Sequence, residues 1–446
     1  MELMDEIDTI ETTVYTSARA ETCTRKDADM KNSVVVSTGR SKLHLYYAAR
    51  AAQKAGLLHS MITAVYVKNK WVPIVRFLAK TTNKNFFNRL LFCRDNQIND
   101  HKVVSMPTVT LASKLRTLIS QRGVSDDFRF WLERVESIYY GKRTNKYIRP
   151  GVKLIHSRSG YSRAIIPYAR KTGAKVLLSQ SAAHPDFVMR VMEEEYDMWN
   201  VPVKNRTYVG PREEMKWDIS QAEYIITNSD YVAQSIRENT QNHKKIFVVH
   251  TGVDVNMFEP KQKTSSDRFR VLYVGNLSTY KGVGYLIKAF KKLNLPAAEL
   301  MLVGKKPEDC PSIVDEYKEF FTYIPAVPYS DVPATFADAN VFVFPSIVEG
   351  PSRVVGEAMA TGLPCIVTPS IPNCRHIVED GVDGFVVPAK NIEALAEKIL
   401  YLYQNRDLCF EMGRKARQKA VNSLTWGHYQ KNLLGVYTQI LNDEEQ

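Results

Sequence analysis

Short runs of apolar, often β-branched residues recur along the chain and end at glycine or serine turns that precede helical patterns. In the N-terminal half these runs cover residues 33–37, 152–156, 175–179, 223–227 and 246–250. After the first run comes Thr38-Gly39, followed by apolar residues at helical spacing from Leu43 to Ala55. Such runs predict buried strands, and repeated strand–turn–helix units are typical of parallel α/β sheets.

The same strand–turn–helix pattern resumes after a polar stretch. Residues 260–268 are polar apart from Pro260, which indicates a linker. The later runs cover residues 270–274, 300–303, 341–344, 365–368 and 384–387. We therefore expect an α/β protein with two doubly wound domains that face a central cleft, a common place for a substrate site. The predicted division is a tail at 1–31, an N-terminal domain at 32–259, a linker at 260–268, a C-terminal domain at 269–424 and a final helix at 425–446.

The composition is that of a globular protein with a basic surface. The 446 residues are 44% hydrophobic and 24% charged, with a formal net charge of +12, which favours anionic partners. The six cysteines are widely spaced, which indicates reduced thiols rather than a zinc site or a disulfide framework. Residues 1–31 are polar and predict a disordered tail without the features of a signal peptide. We expect a cytoplasmic protein, because no apolar run approaches the roughly 20 residues of a membrane span.

The most specific segment covers residues 344–364, where a strand ends in a turn rich in proline, glycine and serine. A helix is predicted from near Ser352 to a Gly-Leu-Pro stop signal. The first N–H groups of a helix attract anions, and Gly350 lets a ligand approach the backbone closely. Glu349 before the helix and Glu357 two turns later can accept hydrogen bonds from sugar and ribose hydroxyls. Their spacing alone equally allows an N-terminal helix carboxylate and a solvated glutamate.

This segment resembles the E-x7-E signature of retaining GT-B glycosyltransferases of family 4, the glycosyl transferases group 1. Segments at 251–260, 274–282 and 380–387 resemble three further motifs of that family in the same order. The resemblance is strongest from 248 to 400. It implies two Rossmann-like domains in a GT-B fold. It also implies retaining, metal-independent transfer of a sugar from a UDP- or GDP-sugar to a sugar or lipid-linked acceptor, in polysaccharide or glycolipid biosynthesis.

The resemblance also implies roles for individual residues. Glu349 would hold hydroxyls of the donor sugar, Lys281 would neutralise the leaving diphosphate, and His184 would contact the sugar; these are the expected catalytic residues. The expected donor-binding residues are Gly39, Gly275, Asn276, Lys281, Gly350, Pro351, Ser352, Arg353 and Glu357. Asn276 stands where the family usually has arginine, so Lys305 or Arg353 is the candidate replacement for the missing cation. Base recognition is expected near residues 323–325.

The chemistry of the N-terminal half is less specific. The turn at Gly39 permits close approach of a diphosphate, but an ordinary strand–helix turn is the alternative. His184 follows the strand at 175–179, where a cleft residue would lie, although a lone histidine is more often structural. His44 is a weaker candidate. The sequence contains no evident metal-ligand cluster or internal nucleophile, so no metal or other cofactor is expected, and the resemblance implies a front-face mechanism.

Residues 68–94 contain seven basic residues among apolar ones and no acidic residue. This pattern fits a solvated helical face or a peripheral contact with an anionic membrane near a lipid-linked acceptor. No nucleic-acid module accompanies it, so no nucleic-acid partner is expected. The resemblance implies that the helix at 425–446 crosses back to the N-terminal domain. Two rival functions are another GT-B enzyme, such as an inverting transferase or an epimerase, and an inactive sugar-nucleotide-binding scaffold.

Overall fold

A computed structural model of the chain shows two parallel sheets, each packed between helices. It describes residues 30–40, 44–81, 87, 90–110, 113, 119, 125–202, 212–240, 245–260, 268–350, 352–370 and 377–443. Most of the predicted tail (1–31) and of the predicted linker (260–268) therefore lies outside the described residues. The predicted α/β class with two Rossmann-like domains is confirmed.

The N-terminal sheet is parallel throughout and is covered by helices. Its described strands are β1 (Val34–Ser37), β2 (Leu58–Thr63), β3 (Val103–Ser105), β4 (Leu154–Arg158), β5 (Lys175–Gln180), β6 (Tyr224–Thr227) and β7 (Lys245–Val248), in the order β3-β2-β1-β4-β5-β6-β7. Its described helices are α1 (His44–Lys54), α2 (Val72–Thr81), α3 (Asp126–Asn145), α4 (Ile165–Thr172), α5 (Pro185–Met198), α6 (Arg212–Gln221) and α7 (Asp230–Asn239). The order reverses between β1 and β4, so their carboxyl ends border the crevice where such sheets bind ligands.

The C-terminal sheet repeats this arrangement. Its described strands are β8 (Phe269–Val274), β9 (Ala298–Gly304), β10 (Thr322–Pro325), β11 (Val341–Phe344), β12 (Cys365–Val367) and β13 (Gly384–Val386), in the order β10-β9-β8-β11-β12-β13. Its described helices are α8 (Val283–Leu293), α9 (Ile313–Glu316), α10 (Val332–Phe336), α11 (Arg353–Ala360), α12 (Ile392–Gln404) and α13 (Arg406–Ser423). The switch point lies between β8 and β11, so the loops that follow these two strands are neighbours at the cleft.

The last helix, α14 (Trp426–Asn442), lies on the N-terminal domain. The Trp426 ring stacks on Tyr47, with 3.5 Å between the ring centroids. The Tyr437 hydroxyl is hydrogen-bonded to His156 Nδ1 at 2.6 Å, and both residues are buried. Apolar residues of α14 join the core formed by β1 and α1. Helix α14 is therefore anchored to the N-terminal domain.

Helix α5 packs the two domains against each other. Its buried residues Val188 and Met192 belong to the apolar core of the C-terminal domain. The buried Glu195 carboxylate accepts a hydrogen bond from the Tyr285 hydroxyl at 3.0 Å and pairs with Lys390 at 2.9 Å. Because these contacts cross between the domains, the structure shows the cleft with its walls in contact.

Candidate functional site

Lys281 and Glu349 meet at the switch point of the C-terminal sheet. Lys281 lies in the turn after β8, and Glu349 lies in the loop between β11 and α11. Lys281 Nζ donates to Glu349 Oε2 at 2.5 Å, and the two side chains are only 13% and 5% exposed. The sequence-based prediction placed both residues in one site, and the structure brings them into direct contact although 68 positions separate them.

Gly282 allows these two loops to approach each other. Its φ is +68°, a left-handed conformation that favours glycine. A Cβ atom at this position would lie 2.0 Å from the Pro345 carbonyl oxygen. The contact fixes the turn that carries Lys281 against the loop that carries Glu349, and a larger residue would separate them.

Gly350 is the point at which this site touches the N-terminal domain. Its N–H donates to Glu349 Oε1 at 3.0 Å, which holds the carboxylate in place. A Cβ atom on Gly350 would lie 2.7 Å from the carbonyl oxygen of Ser181, which follows β5. The loop after β5 therefore closes over the Glu349 side of the cleft.

Tyr231 also reaches this site from the N-terminal domain, and the sequence analysis did not single it out. Its hydroxyl donates to the Ile347 carbonyl at 3.4 Å. Burial, and then the negative charge of Glu349, raise the pKa of Tyr231, so the phenol keeps its proton. The available signal was its position just after the strand–turn signal at Asn228-Ser229, where a cleft residue is expected.

Glu357 and Arg353 lie further along α11. The buried Glu357 carboxylate accepts a hydrogen bond from the Tyr329 hydroxyl at 2.9 Å. Burial raises the pKa of Glu357, and the charge of Arg353 and the Tyr329 hydrogen bond oppose this rise. The Arg353 guanidinium lies 5.9 Å from the centre of the Tyr329 ring. These three residues form a group of their own, in which Arg353 and Glu357 belong to α11 and Tyr329 lies just before α10.

The remaining donor-side predictions concern the loop after β8 and the start of α11. Gly275 lies against Gly304, where a Cβ atom would meet the Gly275 carbonyl oxygen at 1.7 Å. The Asn276 side chain is exposed, and its backbone carbonyl accepts a hydrogen bond from Tyr273 at 2.6 Å. Ser352 is buried at the start of α11. Pro351 lies outside the described residues.

Gly39 is engaged within the N-terminal domain. Its N–H donates to the Tyr140 hydroxyl at 3.0 Å, and its φ of +65° places it against the Tyr161 ring. Tyr140 is also hydrogen-bonded to Ser37 at 2.9 Å. The turn is therefore held by α3, and this particular N–H already has an acceptor, so a ligand would use other groups of the turn.

His184 makes its hydrogen bonds within the N-terminal domain. It is the residue before α5, and its Nδ1 accepts a hydrogen bond from the Asp186 N–H at 3.3 Å. Its side chain lines a groove of the N-terminal domain together with Asp186 and Lys216. Burial lowers the pKa of His184, and Asp186 opposes this effect. The structure thus gives His184 a helix-capping position, and its catalytic role stays a prediction.

Among the residues that the structure describes, no group of three or more His, Cys, Asp and Glu residues is placed to hold a metal ion. The helices of the described part of the chain include none with the length and apolar character needed to span a bilayer.

Comparison with known proteins agrees with the fold. Residues 255–419 match the family described as glycosyl transferases group 1. Spore coat protein SA of Bacillus subtilis (strain 168) is 27% identical over 248 residues, which cover 49% of this chain and 66% of that protein. The capsular polysaccharide biosynthesis glycosyltransferase CapM of Staphylococcus aureus is 29% identical over 199 residues, or 43% of this chain and 52% of CapM. The matches thus span half to two thirds of these relatives.

A solved structure shows the same architecture over most of this chain. Sucrose-phosphate synthase from Thermosynechococcus elongatus superposes with a TM-score of 0.65 and 16% identity, covering 92% of this chain and all of that chain. At this identity the likeness concerns the fold alone. Residues 255–419 of the C-terminal domain are thus similar to the glycosyl transferases group 1 family, and the two domains of this chain form the GT-B fold.

Proposed function

We propose that this protein is a retaining, metal-independent glycosyltransferase that moves a sugar from a UDP- or GDP-sugar to a hydroxyl acceptor. The observation that carries the proposal is the contact between Lys281 and Glu349 at the cleft, beside the start of α11. The group 1 match covers both residues. The proposed pathway is the synthesis of a polysaccharide or glycolipid, the first of which appears in the name of CapM.

The two side chains would act on opposite ends of the bond that breaks. As the sugar–phosphate bond breaks, negative charge accumulates on the diphosphate, and the fixed cation of Lys281 would stabilise it. The first N–H groups of α11 would add their dipole. Glu349 would accept hydrogen bonds from the donor sugar. In the front-face mechanism, the acceptor hydroxyl attacks the sugar on the face that the diphosphate leaves, and a phosphate oxygen takes the hydroxyl proton.

A donor panel tests this function. The full chain is incubated with UDP-, GDP- and ADP-sugars, lipid extracts and sugar acceptors, and nucleotide release is measured with and without EDTA. We expect release from one donor class, unchanged by EDTA, and a product whose anomeric configuration by NMR matches the donor. Inversion would refute the retaining mechanism. Nucleotide binding without turnover across the panel would support the scaffold alternative, which the exposed Asn276 favours.

The protein is further proposed to act in the cytoplasm at an anionic membrane surface, through α2. The apolar side chains of Trp71 and Phe77 are 52% and 64% exposed, next to the exposed basic residues Lys70, Arg76 and Lys80. An interfacial helix combines these two features. We expect cosedimentation with vesicles that contain phosphatidylglycerol, and loss of binding in Phe77→Glu. Equal binding of both proteins would remove α2 from the contact.

A further inference from the structure

Helix α5 is attached to the N-terminal domain at its start and to the C-terminal domain near its end. At the start, the buried His184 N–H donates to Ser235 Oγ of α7 at 2.9 Å. The Phe187 ring, in the first turn of α5, meets the Tyr231 ring edge-on, with 5.5 Å between the ring centroids. Near the end stands Glu195, roughly 16 Å further along the helix axis than His184. Because a helix is stiff, α5 fixes the spacing between the elements that hold its two ends.

The Glu195 carboxylate is 1% exposed and is enclosed by hydrogen-bond donors, two of which come from the C-terminal domain. Its Oε2 atom accepts hydrogen bonds from the Tyr285 hydroxyl at 3.0 Å and from the Trp199 indole N–H at 3.2 Å. Its Oε1 atom pairs with Lys390 Nζ at 2.9 Å. Burial, and then the charge of Glu195, raise the pKa of Tyr285, so the phenol keeps its proton for this bond. A buried carboxylate is costly unless it is paired and hydrogen-bonded, so the domain contact is what stabilises this charge.

The backbone of Lys390 supports a role for the ion pair with Glu195. Its φ is +62°, in the left-handed region that glycine occupies readily and that costs other residues free energy. Lys390 lies between β13 and α12, directly before the Asn391 that caps α12. Glycine would relieve the backbone strain, but it has no side chain to reach Glu195. The ion pair between the domains is thus the contact that a lysine at this strained position provides.

The part of the C-terminal domain that α5 holds is the first turn of α8, and α8 begins two positions after Lys281. The Trp199 ring lies against Gly284, where a Cβ atom would be 2.6 Å from a ring carbon. The next residue, Tyr285, donates to Glu195. The end of α5 therefore contacts the residues three and four positions after Lys281. A shift of α5 relative to α8 would move the turn that carries this cation.

We propose that Glu195 is a positioning residue for the transfer reaction. Through Tyr285 and Lys390 it fixes α5 to the C-terminal domain, and through the first turn of α8 it holds Lys281 at a set distance from the N-terminal wall of the cleft. This inference rests on the proposed function, because it gives a residue outside the site a part in the same reaction. Any separation of the two domains breaks the contacts of Glu195 with Tyr285 and Lys390, and closure forms them again.

The variants Glu195→Gln and Lys390→Met, singly and together, test the proposal. Glu195→Gln keeps the shape of the side chain and removes its charge, and Lys390→Met removes the cation that pairs with it. The matched control is Glu194→Gln, an exposed glutamate one position earlier on the same helix. For each full-length protein we measure kcat and KM with the donor that the wild type uses, the Tm, and the radius of gyration by small-angle X-ray scattering. Circular dichroism confirms folding, and Lys390→Met alone decides the test if Glu195→Gln does not fold.

We expect kcat to fall about 10- to 100-fold in Glu195→Gln and in Lys390→Met, the range for displaced reacting groups. KM for the donor should stay within about threefold, since a lost transition-state arrangement lowers kcat rather than substrate binding. The double variant should lose little more than Glu195→Gln alone, because both changes break one contact. Both single variants should have a larger radius of gyration than the control.

Two results would overturn the proposal. The first is a kcat and a radius of gyration equal to those of the control, even with a lower Tm, because Glu195 would then stabilise the fold and position nothing. The second is a set of kcat losses that multiply in the double variant, because Glu195 and Lys390 would then act separately. A wild type that turns over no donor would instead refute the proposed function, and the radii of gyration would still test the contact between the domains.

Discussion

The two walls of the cleft hold their polar groups in different ways. On the C-terminal wall, Lys281 and Glu349 contact each other, and both stand on loops at the carboxyl ends of adjacent strands. On the N-terminal wall, the Gly39 N–H and the His184 ring bind groups of their own domain. The comparison teaches that equivalent positions after a strand do not give equivalent roles. Lys281 and Glu349 bring a cation and a carboxylate together at the cleft, whereas the Gly39 N–H holds a turn and His184 caps a helix.

The largest effect is expected at the Lys281–Glu349 pair. Lys281→Met keeps the length of the side chain and removes the charge that would stabilise the leaving diphosphate. We expect kcat to fall by about 10²–10³, as for other groups that stabilise transition-state charge. The control is Lys318→Met, an exposed lysine of the same domain. If steady-state kinetics show equal rates for the two variants, Lys281 has no part in the reaction.

The next effect is expected at Gly350, where the two walls touch. In Gly350→Ala the new methyl group would lie 2.7 Å from the Ser181 carbonyl oxygen, so one wall must move. A displacement of this kind costs about 10- to 100-fold in kcat when it shifts reacting groups. Gly381→Ala is a suitable control because a Cβ atom there meets nothing, although its φ of +77° adds a local strain. Unchanged kcat in Gly350→Ala would show that the walls need not meet during the reaction.

A smaller effect, on stability rather than on activity, is expected from Asp218, a buried carboxyl of the N-terminal domain. Burial raises its pKa to about 8, although its Oδ2 accepts hydrogen bonds from the N–H groups of Gly160 and Ser162. The folded protein therefore keeps a proton that the unfolded chain loses above its ordinary pKa near 4. The contribution of this group to the free energy of unfolding therefore falls as the pH rises from about 4 towards 8.

The Asp218→Asn variant sharpens this point because asparagine cannot ionise. Its Tm relative to the wild type should rise between pH 5 and pH 8, as measured by thermal unfolding at several pH values. The transfer rate at pH 7 should stay near that of the wild type, since Asp218 holds the turn at residues 160–162 and not the substrate. A Tm difference that does not change with pH would contradict the raised pKa.

The smallest effect is expected at His184. Asparagine is a good N-cap, so His184→Asn should replace the hydrogen bond to the Asp186 N–H and keep the start of α5. We expect activity within about threefold of the wild type on that basis. A loss of activity of about 10²-fold or more with unchanged Tm would assign His184 the catalytic role that the resemblance implies. Both walls of the cleft would then carry catalytic residues.

Much of the fold could be predicted because buried parallel strands are short apolar runs. The run at 33–37 became β1, and the run at 341–344 became β11. Strands β2, β3 and β10 were not predicted. The β2 segment includes His59, Ser60 and Thr63, β3 has only three residues, and β10 ends in Pro325, so none has a long continuous apolar pattern. Polar residues are tolerated there because neighbouring strands and side chains provide their partners.

The candidate site was predictable to the extent that it depends on local loops. The turn with Gly282 and the loop with Gly350 carry their own backbone signals, and strand order then brings them together. The hydrogen bond of the Gly39 N–H could not be predicted, because its acceptor is Tyr140, 101 positions away.

The most direct test of the central claim is a crystal structure of the full chain with UDP or GDP. The account predicts that the diphosphate contacts Lys281 Nζ and the first N–H groups of α11, with the ribose hydroxyls on Glu357. A nucleotide bound only in the His184 groove, or anywhere away from the loop between β11 and α11, would contradict it.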